Sequence, residues 1–214
     1  MAEAYPRRKS DESAVHQGPV VLASTSPRRR ELLKSVGISF ESMAVDIDES
    51  PEDQEKPSDL VTRLARGKVA AARKKCAPNR VIIGADTVVV IDGMTIGKPI
   101  NRDHAEQVLD MLSGRVHQVF SGVALSFCKQ EGTLCVKTRL NCTRVWFRDI
   151  TPNERIAYCR THEPWDKSGA YAIQGMAAMF VTHIEGSYTG VMGLPLFETL
   201  NLLSVAGISP LKDP

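Results

Sequence analysis

Val81-Ile82-Ile83-Gly84-Ala85-Asp86-Thr87-Val88-Val89-Val90-Ile91 is an apolar, largely β-branched run broken only by an acid and a hydroxyl. It reads as a buried strand, and what flanks it sets the fold. Upstream, Pro19–Ala23 is a short apolar strand, and Ser26-Pro27 opens a helix that stops at Gly37. Ser at the cap with Pro at the first helical position is a well-founded start signal. Ile38–Val45 reads as a strand leading into an acidic loop, Asp46-Ile47-Asp48-Glu49, and Ser58 to Cys76 as a helix. Downstream, Asp92-Gly93 turns the chain toward Met94–Ile96, a hairpin signal. Asp103–Leu112 is an amphipathic helix ending at Ser113-Gly114. Two long β segments, His117–Cys128 and Leu134–Arg148, meet at Gln130-Glu131-Gly132. Thr151 and Glu154 form a capping box for a helix to Arg160. A strand over Met176–Ile184 and a helix over Pro195–Val205 close the chain. Helices interleaved with strands and hairpins predict an α/β fold with a mixed sheet rather than a purely parallel one.

The chain has 214 residues, 43% of them hydrophobic and 24% charged, which excludes collagenous, coiled-coil or wholly disordered classes. Residues 1–18 read as a disordered leader and 19–214 as one domain, since no low-complexity linker interrupts them. Lys and Arg number 27 against 25 Asp and Glu, a balance that argues against a dedicated nucleic-acid or membrane-surface binder. Any anionic ligand must then meet locally placed cations. The five cysteines are never spaced Cys-x-x-Cys, which points to a reducing, cytoplasmic compartment. No uncharged apolar run approaches the roughly 18 residues of a membrane span.

Five stretches could carry chemistry. Ser24-Thr25-Ser26-Pro27-Arg28-Arg29-Arg30 places hydroxyls, free backbone N–H groups and guanidiniums at a helix N-terminus directly after a strand. Such an end favours anions, and Arg adds bidentate phosphate contacts; the alternative is a solvated arginine-rich face. At about 100° per residue, Leu60, Val61, Leu64, Ala65, Ala71 and Ala72 share one helical stripe, and Lys68 falls in its middle. A lysine there is costly unless it reaches an anion or its stem snorkels to solvent. Asp86 within the apolar strand must be paired, bind a metal or have a raised pKa, unless it caps a turn. Gly84-Ala85 beside it implies close approach by another group, and Gly97-Lys98-Pro99 offers a further cation. In Asp166–Gly175 the Gln174 amide presents a donor beside an acceptor. It suits the imide edge of uracil or thymine, or it faces water. The acidic loop of Asp46, Asp48 and Glu49 would hold Mg²⁺ beside a triphosphate, or else is simply solvated.

In order, Ser24–Arg29, Asp46–Glu49, Arg63–Lys68, Gly84–Val89, Gly97–Pro99 and Tyr171–Gly175 follow the motifs S-x-S-P-R-R, D-x-D-E, R-L-A-x-x-K, G-A-D-T-V-V, G-K-P and Y-x-I-Q-G. With these the chain resembles the Maf family of nucleotide pyrophosphatases from about Pro19 to Leu203. Arg66-Gly67 departs from the family's usual residues before the lysine, and the leader has no family counterpart. The resemblance implies an elongated fold related to the inosine-triphosphate pyrophosphatases, with two lobes around a central cleft. It implies hydrolysis of a nucleoside triphosphate to the monophosphate and pyrophosphate by a homodimer. A divalent metal is implied as cofactor, Mg²⁺ first, with Mn²⁺ or Co²⁺ as alternatives. Asp86 would be the general base, sharing the metal with Glu49. Ser24, Arg29, Lys68 and Lys98 would bind phosphates, while Arg28, Thr87 and Gln174 would govern substrate choice. The Gln-Gly ending looks like the branch acting on dTTP and UTP. A sister branch acts on 7-methyl-GTP. The family's link to septum formation keeps a non-enzymatic regulator of cell division, binding nucleotide or nucleic acid, as the other class; near-zero net charge weighs against its nucleic-acid form.

Overall fold

The computed structural model of the chain describes residues 18–211. The leader therefore lies, apart from Gly18, outside the described residues. These residues form a seven-stranded mixed sheet with helices on both faces. Its first strands are β1 (Val20–Leu22), β2 (Phe40–Ser42) and β3 (Ile82–Ile91), followed by β4 (Met94–Ile96) and β5 (Val116–Cys128). β6 (Leu134–Phe147) and β7 (Val181–Glu185) complete it. The order is β2-β1-β3-β5-β6-β7, with β4 also on β3. β1 is parallel to β2 and β3, and every other pairing is antiparallel.

One feature of the register creates the site. β3 runs beside β5 from Ile82 to Val90, but its other edge is shared. Ile82 and Ile83 pair with β1, whereas Val89 to Ile91 pair with β4. Between them, Gly84 to Val88 face a notch in the sheet. β4 returns tightly because Asp92 (φ 51°) and Gly93 (φ 78°) both adopt the left-handed conformation that a two-residue hairpin needs.

Helix α1 (Pro27–Ser35) follows β1, and α2 (Pro57–Arg73) crosses the sheet over β3 and β5. α3 (Arg102–Leu112) and α4 (Pro152–Cys159) pack together at one end, and α5 (Tyr188–Met192) and α6 (Leu196–Val205) follow β7. Thr151 and Glu154 form the expected reciprocal capping box of α4. Ser26 does not cap α1 with its side chain; instead its N–H is taken by the Ser24 hydroxyl at 3.2 Å.

Two main apolar cores sit at opposite ends of the long strands. One gathers Val89, Leu109, Val119, Phe147, Tyr158 and Phe180. The other gathers Leu22, Leu33, Ile83, Leu125, Phe127 and Leu202. Met192 borders both. A third, smaller cluster lies under α2 around Val21, Ala65 and Ile82. The expected strand over Met176–Ile184 is corrected: Met176–Phe180 is a 3-10 helix, and extended structure begins only at Val181. Its apolar residues are spent on the buried Ala177 and Phe180 rather than on strand alternation. Helix α5 was not expected, although Gly193 at its left-handed end and Pro195 two residues on are a helix-stop signal.

Candidate active site

The floor of the notch is built by close approach. A Cβ on Gly84 would come within 2.5 Å of the Ala65 carbonyl, and one on Gly122 within 2.5 Å of the Val61 carbonyl. Only glycine lets α2 lie so low on the sheet. The group that approaches Gly84 is thus a helix of the same chain. Asp86, two residues along, points to the same face. There Lys68 Nζ donates to Asp86 Oδ1 at 2.6 Å and lies 2.7 Å from Glu49 Oε1. The Lys68 and Asp86 side chains are each 10% exposed, so the lysine neither snorkels nor sits unpaired. Removing the lysine from such a buried pair costs about 3–5 kcal/mol, because Asp86 is then left without its cation.

The β1–α1 turn makes one wall. Ser24 is buried, and its hydroxyl accepts from Arg29 Nη1 at 3.4 Å. Arg29 Nε donates to the Gly193 carbonyl at 2.7 Å, locking the guanidinium against the end of α5. Burial lowers the Arg29 pKa, with the Asp86 carboxylate acting against the shift. Arg28 reaches across the cleft mouth to Asp166 at 3.1 Å. Arg30 is exposed and does not line the cleft. On the opposite face of β3 from Asp86, the hydroxyls of Thr87 and Ser121 share a hydrogen bond of 2.7 Å, and Ser121 donates to the Gly190 carbonyl at 2.7 Å. Lys98 stands exposed just past β4.

The far wall is the segment 166–175. The Ser168 hydroxyl accepts from the Val89 N–H at 2.9 Å and donates to the Ile96 carbonyl, tying the segment to β3 and β4. The Tyr171 hydroxyl is 2.8 Å from Nε2 of the buried His117. Gln174 follows, exposed on the cleft wall.

Nine of the residues singled out from the sequence line this one cleft of about 710 Å³: Ser24, Arg28, Arg29, Glu49, Lys68, Asp86, Thr87, Lys98 and Gln174. Of the acidic loop expected to hold Mg²⁺, Glu49 lines the cleft but Asp46 and Asp48 do not. Both are exposed; Asp48 instead accepts from the Ser50 N–H at 2.9 Å. A turn carboxylate satisfies its own loop first. Three contributors were missed in the sequence, namely Asp166 as the partner of Arg28, Ser121 as that of Thr87 and Gly193 as that of Arg29. Only the Gly193 turn had a local signal.

Partial burial works to raise the Glu49 pKa, but the Lys68 ammonium, with Lys98 and Arg29 nearby, holds it below the usual value. The carboxylate therefore stays ionised at neutral pH. Among the described residues, no group of three His, Cys, Asp or Glu side chains could hold a metal ion. Asp86 and Glu49 do converge on one point, now taken by Lys68 Nζ. Two carboxylates fit a hard cation that completes its oxygen shell with substrate phosphates and water.

A notch of this kind, with an ion-paired carboxylate on its floor and arginines on its rim, suits a phosphate-handling enzyme. The profile of the Maf-like protein family matches residues 19–206, and the chain belongs to that family. A dTTP/UTP pyrophosphatase of Nitrosomonas europaea is 46% identical over 202 residues, covering 89% of this chain and 95% of its own. One of Pseudoalteromonas atlantica is 47% identical over 188 residues, covering 86% and 95%. Among solved structures, the Staphylococcus aureus Ham1 protein matches over 86% of this chain and 95% of its own, with 14% identity and a TM-score of 0.43. No helix among the described residues is long and apolar enough to cross a membrane.

Proposed function

We propose that the chain hydrolyses nucleoside triphosphates, dTTP and UTP above others, to the monophosphate and pyrophosphate. The observation that carries this reading is the Lys68–Asp86–Glu49 cluster on the floor of an arginine-rimmed cleft. Relatives bearing that activity, at 46–47% identity, add the substrate. In this reading Asp86 takes a proton from water as its oxygen attacks the α-phosphorus. The bond from that phosphorus to the bridging oxygen of the β-phosphate breaks, and pyrophosphate leaves with the electron pair. Ser24, Arg29, Lys68 and Lys98 hold the phosphates and meet the charge that develops on the leaving group. Asp86 and Glu49 would hold a divalent cation, Mg²⁺ first, and that cation would supply further neutralisation of the phosphate oxygens.

The triphosphate's approach would draw Lys68 from its carboxylates toward phosphate, freeing Asp86 for its proton. Arg28 and Thr87 would shape the entry of the nucleoside, and the Gln174 amide would pair with the O and N–H of a uracil or thymine imide. Residues 19–214 act as one unit in this scheme. Free thiols at all five cysteines suit a reducing cytoplasm, and the family resemblance adds a homodimer, which light scattering checks.

A pyrophosphate-release assay over a panel of nucleotides, with and without Mg²⁺, tests the reading. Release from UTP and dTTP, dependent on the metal, is expected. Flat traces throughout would instead favour a nucleotide-binding regulator, and faster release from 7-methyl-GTP would reverse the base assignment.

A further inference from the structure

Gln174 is exposed, sits on a segment without regular structure, and yet must present its amide in one direction if it reads a base. The main chain directly after it is held by a carboxylate outside the cleft lining. Glu163 lies in the loop after α4, and its Oε2 accepts from the Met176 N–H at 2.8 Å. Its Oε1 accepts from the Ala177 N–H at 3.1 Å and from the Tyr158 hydroxyl at 2.8 Å. Burial, with Glu163 beside it, pushes the Tyr158 phenol far up, so it remains a donor. The Glu163 carbonyl in turn accepts from Lys167 Nζ at 2.6 Å, tying the same loop to the start of the far wall.

The carboxylate thus grips the two N–H groups that open the 3-10 helix directly after Gln174-Gly175. It also explains the glycine. A Cβ on residue 175 would lie 2.2 Å from Glu163 Oε2 and 2.5 Å from its carboxyl carbon. Gly175 is extended (φ −112°), so its conformation does not demand glycine; the space taken by the carboxylate does. Two backbone donors, one phenol and a missing side chain all serve one anion. Hydrogen bonds to an ionised acceptor are the stronger kind, and here they are aimed at the main chain adjoining the base reader.

We propose that Glu163 is a positioning residue for substrate choice, holding the Gln174-Gly175 turn in the orientation that admits uracil and thymine. This rests on the reading of Gln174 as the group that meets the base. Glu163 touches no substrate atom and acts only through residues 174–177.

The test compares UTP with GTP, by kcat/KM, in wild type, Glu163→Gln, Gly175→Ala, Glu163→Ala and the Glu163→Ala/Gly175→Ala double variant. Glu163→Gln keeps the shape but turns an amide N–H₂ toward backbone donors. It should raise KM for UTP about tenfold or more with a smaller change in kcat, and the UTP preference should fall with it. Gly175→Ala should do the same by displacing the carboxylate. In the double variant the two losses should not multiply, since removal of the carboxylate makes room for the new methyl. Amide spectra should show the Met176 and Ala177 protons moving upfield in Glu163→Gln while the rest of the fold's signals persist. An unchanged UTP preference in Glu163→Gln, or losses that multiply in the double variant, would overturn the proposal alone. A wild type without any preference for UTP over GTP would overturn the base-reading role of Gln174 first.

Discussion

The two walls of the cleft are made differently. The floor and phosphate wall stand on regular elements, with Asp86 and Thr87 on β3, Lys68 on α2, and Arg28 and Arg29 in the first turn of α1. Lys68 and Asp86 are matched to each other in a short buried ion pair, and the Arg29 guanidinium is held by the Gly193 carbonyl. The base wall is a loop with two 3-10 turns, an exposed glutamine and one non-glycine residue, Ala170, held at φ 56°. Such a conformation costs on the order of 1 kcal/mol and persists only where its surroundings impose it. In the proposed reading, the chemistry common to all triphosphates rests on strand and helix packing, while the part that differs between substrates rests on a loop pinned to β3 and β4 through Ser168.

That contrast can be broken at each wall. The largest effect belongs to the floor: Asp86→Asn should lower kcat by about 10²–10⁴-fold while nucleotide binding persists. Near-normal pyrophosphate release by this variant would sink the assignment of Asp86 as base. Lys68→Met should destabilise the fold by about 3–5 kcal/mol in urea titrations, because Asp86 is left buried without its cation. Adding Asp86→Asn to Lys68→Met should restore most of that loss, and strictly additive losses would show that the pair is not coupled.

The base wall should show its weakness in acid. Burial lowers the His117 pKa to about 4, well under its unfolded value of 6.5. Between those values the unfolded chain binds the extra proton and the folded chain does not, so stability falls as pH drops. The loss is on the order of 3 kcal/mol when fully developed. His117→Phe, which keeps the ring packing against Phe147, should flatten the pH dependence of the urea midpoint between pH 7 and 4. The smallest effect is on selectivity. Gln174→Glu should reduce kcat/KM for UTP by about 1–3 kcal/mol in transition-state terms and favour bases with a donor-rich edge. Equal turnover of UTP by this variant would remove Gln174 from recognition.

The same contrast explains what could be read in advance. Lys68 was conspicuous because a charge inside a helical apolar stripe breaks a strong periodic signal, and Asp86 because it interrupts a β-branched run. Both proved to be each other's partner. Helix α2, the hairpin at Asp92-Gly93 and the capping box at Thr151 were legible for the same local reasons. What stayed hidden were contacts across large sequence separations with no periodicity to mark them. Asp166 gave no sign of meeting Arg28, 138 residues away, nor Arg29 of meeting the Gly193 carbonyl. The apolar run after Gly175 was misread as a strand because alternation in so short a segment cannot be told from a 3-10 turn that buries Ala177 and Phe180. Acidic character alone misplaced Asp46 and Asp48, since nothing in a run of carboxylates says which one turns inward.

β3, β5 and β6 pass without interruption from one apolar core to the other. Mechanically the cleft is therefore a slot cut in the edge of a continuous beam and not the gap between two hinged bodies. Changing its width by moving the cores would mean bending three hydrogen-bonded strands at once. What spans the slot is the Arg28–Asp166 bridge, whose carboxylate is exposed, and the segment that ends in Gln174. Under the proposed reading, nucleotide and pyrophosphate pass by exchange of side-chain contacts at the slot rather than by movement of the cores.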